Sequence, residues 1–170
     1  MSTLNFELIR PLVPFVKDIG NKLSLDESLI LAVIYQESRG NNYAARLESS
    51  YLEKGLFHLP LIYAQKLFIT SDTEKYFQAT SWGCMQVMGV RAREMGFGEI
   101  LSRLINPNEG IFYGSKILDQ NIIRFGNKTD AISAYNQGSP EKEIDGFYKN
   151  QSYVDDVLNW ESQIKLISPQ

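Results

Sequence analysis

Glu37 closes an apolar run, Leu29-Ile30-Leu31-Ala32-Val33-Ile34-Tyr35, and is followed by Ser38, Arg39 and Gly40. A carboxylic acid at the end of an apolar helix is costly to ionise, because burial favours the neutral form and raises the pKa. A group that keeps a proton near neutral pH and gives it to a leaving oxygen is what glycoside cleavage needs. Carboxyls in apolar surroundings reach a pKa of about 6. Position alone does not separate such an acid from a Glu that points to solvent, since Glu is rarely fully buried. A second chemistry would pair Cys84, the only cysteine, with His58, the only histidine, as nucleophile and base. Nothing in the sequence fixes those two as neighbours.

These side chains need elements to hold them. Ser24-Leu25-Asp26-Glu27 reads as a helix start, with Ser24 as the cap and Glu27 at the capping-box position. The helix that follows is apolar on every side, which predicts a buried central helix. It stops near Arg39-Gly40, where Gly supplies a left-handed turn. Upstream, Phe6, Ile9, Val13, Val16 and Ile19 give residues 3–22 an amphipathic helical period, broken or bent by Pro11 and Pro14. Residues 41–80 are the least regular, with one short helix near Leu61–Phe68. Helices are expected at 86–96 and 109–125, with Asn106-Pro107-Asn108 as the turn before the second. A short helix at Asp130–Asn136 and an amphipathic one at Tyr153–Ile167 complete the chain. No hairpin signal stands outside 41–80, so the expected fold class is mainly α.

Composition narrows the function. The chain has 170 residues, enough for one domain with a real core. Its net charge of -3 and scattered Lys and Arg argue against a nucleic-acid partner. One cysteine allows no intramolecular disulfide. One histidine and no ligand cluster predict no metal site and no cofactor. No stretch reaches membrane-spanning length, and no secretory signal is legible at the start. The expectation is synthesis in the cytoplasm.

The motifs say more than the composition. Ile34-Tyr35-Gln36-Glu37-Ser38-Arg39-Gly40-Asn41 resembles the Glu-Ser motif of the lytic transglycosylase (SLT-type) domain of the goose-type lysozyme superfamily. Ser81-Trp82-Gly83-Cys84-Met85-Gln86-Val87-Met88 resembles that family's Gly-Leu-Met-Gln segment, with Cys84 in place of Leu and Gly89 where Pro is common. Asn106-Pro107-Asn108-Glu109-Gly110-Ile111 is similar to its Asn-Pro turn, and Ala134-Tyr135-Asn136-Gln137-Gly138 to its Ala-Tyr-Asn-x-Gly motif. Tyr153-Val154, with Val157 one turn on, resembles its last motif. Each motif is weak alone. Their shared order is what identifies the family.

The resemblance implies a single lysozyme-like domain over residues 1–170, with Glu37 on the buried helix. The long interval from Glu37 to Gly83 implies an inserted lobe at about 47–80. Its Tyr51, Phe57, Tyr63, Phe68, Tyr76 and Phe77 are expected mostly as a satellite core rather than sugar platforms. The implied substrate is the peptidoglycan glycan strand, cut between N-acetylmuramic acid and N-acetylglucosamine. Glu37 would act as acid and then as base, leaving 1,6-anhydro ends. Ser38, Gly83, Met85, Gln86, Tyr135 and Asn136 are the implied substrate-binding residues. Gly83 would let backbone approach a sugar. Tyr135 would hold the Glu37 carboxyl or the sugar, and Asn136 an N-acetyl group. Ser38 serves equally well as a local helix-end hydroxyl.

Some relatives hydrolyse with inversion using a second acid. Glu48, in Ala45-Arg46-Leu47-Glu48, is the candidate, kept ionised by Arg46. The ordinary alternative is a surface pair of little energetic worth. A non-catalytic glycan-binding protein is the third class, and the intact Glu37 argues against it. The expected setting is a monomeric phage or prophage endolysin, or a wall-opening protein carried in a virion or exported by a specialised system, acting at the cell wall or periplasm.

Overall fold

A computed structural model describes residues 3–167. These residues form nine α-helices and one three-stranded sheet, the mainly α class expected. The chain divides into two compact units. One holds the described residues up to Gly40 and from Ser115 onward, and the other is Asn41–Gly114.

In the first unit the prolines break the opening helix as expected. Phe6–Leu8 and Arg10–Leu12 are 3-10 turns, and regular helix starts only with α1, Val13–Leu23, which carries Pro14 in its first turn. A proline fits there because its missing N–H has no helical partner anyway. Ser24 does not cap the next helix. It takes a left-handed backbone, φ 55°, at the end of α1. The cap of α2, Glu27–Ser38, is Asp26, whose Oδ1 accepts from the Ser28 amide at 2.8 Å and the Ser28 hydroxyl at 2.6 Å. An ionised carboxylate is a strong acceptor beside the positive end of a helix, so it takes the place assigned to the hydroxyl of Ser24.

Every residue from Ser28 to Tyr35 is buried, as the all-round apolar sequence requires. At the far end both Arg39 and Gly40 have positive φ, 55° and 84°. Gly40 is needed for space too, since a Cβ there would meet the Leu8 carbonyl oxygen at 2.4 Å. The main partner of α2 is α9, Gln151–Ile167, which buries Val154, Val157, Trp160 and Ile164. Trp160 meets the Tyr35 ring edge-on at 4.9 Å, and its Nε1 donates to the Gln36 side chain at 2.8 Å. At the other end Lys165 pairs with Asp26 at 2.9 Å. Residues 128–137 form α8, capped by Asn127, whose Oδ1 accepts from the Asp130 amide at 2.8 Å.

The second unit departs more from expectation. Residues 41–80 hold three helices rather than one: α3, Ser49–Lys54; α4, Pro60–Leu67; and α5, Ser71–Gln78. Helix α4 is the expected one; α3 is too short to show a helical period, and α5 begins at Thr70, which caps it by accepting from the Thr73 amide at 3.0 Å. A hairpin also forms outside 41–80. Strand β2, Thr80–Trp82, turns through Gly83–Gln86 into β3, Val87–Met88, and β1, Ala45–Leu47, pairs antiparallel on the other side of β2. Two- and three-residue strands carry too little alternation to read from sequence. The helix expected at 86–96 is therefore shorter, α6, Gly89–Glu94. Helix α7, Pro107–Phe125, starts at the Asn-Pro turn.

The centre of the second unit is an ion pair. Arg93 is fully buried and donates from Nε and Nη2 to the two carboxylate oxygens of buried Glu74, at 2.8 and 2.9 Å. Its Nη1 donates to the carbonyls of Phe97 and Glu99, and the Tyr63 ring lies 4.1 Å from the guanidinium carbon. The lobe's aromatics are not one satellite core. Phe77 packs edge-on against Trp82 at 5.4 Å, but Phe68 is 96% exposed and Tyr76 is 53% exposed.

Candidate active site

Glu37 sits half-buried in the last turn of α2. The hydroxyl of Tyr153, in the first turn of α9, donates to Glu37 Oε1 at 2.5 Å. Tyr153 begins the stripe that continues through Val157, Trp160 and Ile164, so packing of α9 on α2 places its ring. A tyrosine packed between helices needs a partner for its hydroxyl, and the carboxyl at the end of α2 supplies one. The phenol is held well above the usual tyrosine range, first by burial and then by the Glu37 charge, with Tyr135 adding to the effect. It therefore stays protonated at neutral pH and remains a donor to Glu37.

Tyr135 and Asn136 lie in the last turn of α8, which Gly138 closes with φ 87°. Tyr135 is half-buried, and Asn136 is exposed. Ser38 is the half-buried last residue of α2. The first unit thus carries Glu37, Ser38, Tyr135, Asn136 and Tyr153, with Tyr153 in contact with Glu37 and influenced by Tyr135. Sequence reasoning placed Tyr153 in a motif without giving it a role. The available signal was a tyrosine on an otherwise apolar helical stripe, whose hydroxyl had to be satisfied.

The remaining residues implied by the motifs belong to the second unit. Gly83 has φ 72° and is buried, and a Cβ there would meet the Leu104 carbonyl oxygen at 2.3 Å. Its glycine is thus required by packing inside the unit, whatever approaches from outside. Met85 is completely buried, so its side chain fills core rather than lining an open groove. Gln86 closes the hairpin turn in a left-handed conformation, φ 48°. Its Nε2 donates to the carbonyls of Gly83 and Ala44, at 2.9 and 3.2 Å. Glu48 accepts from Arg46 Nε at 2.5 Å, with Arg46 largely exposed. This is the geometry of the ordinary surface pair.

Cys84 is buried, and burial pushes its thiol up to about 12. A buried, neutral thiol is a poor nucleophile, which argues against the Cys84–His58 chemistry.

Over residues 15–152 the chain matches the Transglycosylase SLT domain, and it belongs to that family. The match spans all the motifs read from the sequence except the Tyr153 motif, which begins one residue beyond it. Its general activity class is that of a peptidoglycan lytic transglycosylase. No curated protein and no solved structure matches the chain significantly. Among the described residues, no helix is long and apolar enough to cross a membrane.

Proposed function

We propose that the protein cuts the β-1,4 bond between N-acetylmuramic acid and N-acetylglucosamine, with Glu37 as acid and then base. In the first step Glu37 gives its proton to the bridging oxygen, and the bond from that oxygen to muramic acid C1 breaks. In the second, the muramic acid 6-hydroxyl bonds to C1 and its proton returns to Glu37. The product is a 1,6-anhydro end, and no water is consumed.

The observation that carries this reading is the hydrogen bond from Tyr153 to Glu37 at the end of a helix buried over eight successive residues. A protonated phenol fixes the rotamer of the carboxyl. It also leaves a donor in place for the carboxylate that exists after the first proton transfer. Tyr135 and Asn136, on α8 of the same unit, are the proposed glycan contacts. Gly83 and Gln86 enter this reading through the motifs alone, and the fully buried Met85 side chain supports them from the core.

The masses of muropeptides released from purified sacculi test the reaction type. Anhydro products, lighter by one water than reducing ones, are expected. Reducing ends would instead indicate hydrolysis, with Glu48 as the candidate second acid.

A further inference from the structure

Asn150 precedes α9 and occupies its cap position, with its carbonyl accepting from the amides of Tyr153 and Val154. An Asn at that position ordinarily turns its side chain onto the first amides of its own helix. This one turns to α8 instead. Its Nδ2 donates to the Ser133 carbonyl at 3.1 Å, and its Oδ1 accepts from the Ser133 hydroxyl at 2.7 Å. The Ser133 carbonyl can only accept, so the orientation of the Asn150 amide is decided by chemistry. The second hydrogen of that Nδ2 goes to Asn136 Oδ1 at 3.0 Å. Gln137 Nε2 donates to the Ser133 hydroxyl at 3.2 Å and completes the cluster.

The consequence falls on Asn136. An amide side chain offers a donor on one side and an acceptor on the other. With its oxygen accepting from Asn150, the end of the Asn136 amide left for another partner is its donor, Nδ2, on an exposed residue next in sequence to Tyr135. We infer that Asn150 is a positioning residue that fixes Asn136 as a hydrogen-bond donor toward the glycan, and so selects sugars that present a carbonyl acceptor, the acetamido group, over N-deacetylated ones. This rests on the proposed glycan-cleaving role of the site. Asn150 itself does not need to touch the sugar.

The test compares N-acetylated and N-deacetylated sacculi as substrates for the full chain. The wild-type protein should favour the acetylated wall in kcat/KM by roughly three- to tenfold, the span of one hydrogen bond. In Asn150→Asp the new carboxylate can only accept from Asn136, which must flip and present its oxygen. The preference should then fall to about twofold or less, mainly through KM, while Asn136→Ala should lose it similarly. Asn150→Ala, which frees the Asn136 amide to rotate, is a second variant should the carboxylate impair folding. Thermal melting identifies the folded variants. A purely structural tie between α8 and α9 would lower the melting temperature without changing the ratio between substrates. A folded Asn150 variant that keeps the wild-type preference overturns the inference alone. A wild-type protein inactive on both walls overturns the catalytic reading and this inference together.

Discussion

At the scale of single residues the decisive pair is Glu37 and Tyr153. The phenol donates to the carboxylate, and burial together with the Glu37 charge keeps it protonated. Replacing Tyr153 with Phe removes the donor and leaves the ring. The turnover of sacculi should fall on the order of tenfold, the worth of one hydrogen bond to a charged group. The same residue sets an alkaline limit. The folded state favours the neutral phenol, so the contribution of Tyr153 to stability is whole below about pH 10, the ordinary tyrosine value. It is lost as the pH rises from there through the higher folded-state value. The melting temperature should therefore drop above about pH 10, and the drop should be smaller in Tyr153→Phe. An identical drop in the two proteins would show that the phenol is not linked to folding.

At the scale of elements, legibility followed length. Helix α2 announces itself by an unbroken apolar run ending at Gly40, and α9 by an apolar stripe over several turns. Both were readable, and they hold Glu37 and Tyr153. The hairpin of β2 and β3 was not, because its strands of three and two residues offer no period. Helix α3, six residues long, is illegible for the same reason, whereas α5 carries a legible signal in its Thr70 cap. The cap of α2 was misassigned between two neighbouring good acceptors, Ser24 and Asp26, and only the backbone decides between them. Of the implied site, Glu37, Tyr135 and Asn136 were visible through motifs. The role of Tyr153 and the cluster of Asn150 with Ser133 and Asn136 were not, since they depend on side chains distant in sequence. Gly83 was read as room for a sugar, whereas the close neighbour is the Leu104 carbonyl. Gly83→Ala should thus destabilise the protein by about 2–3 kcal/mol, through a left-handed backbone and that clash, as measured by urea unfolding. A change below about 0.5 kcal/mol, the range of neutral surface substitutions, would contradict this.

At the scale of the whole molecule, family membership extends over residues 15–152 and thus over parts of both compact units. The first unit carries Glu37 and Tyr153. The second carries a buried ion pair that no glycan chemistry explains. Arg93 and Glu74 are completely enclosed and satisfy each other, with two carbonyls and an aromatic ring taking up the rest of the guanidinium. Breaking such a pair leaves an uncompensated charge, so Glu74→Gln should cost about 3–5 kcal/mol in denaturant unfolding. The double change Glu74→Leu with Arg93→Met should cost much less than the single one, because no buried charge is left over. Equal losses would mean that packing, not charge, dominates there.

The account as a whole rests on the carboxyl at the end of α2, and the rate of muropeptide release from purified sacculi by Glu37→Gln tests it most directly. Glutamine keeps the shape and an acceptor for Tyr153 but can neither give nor take back the proton. A folded Glu37→Gln protein should lose at least about 100-fold in rate, the lower end of what a positioned general acid contributes. A folded variant that keeps most of the wild-type rate would contradict the assignment of Glu37 as the catalytic group.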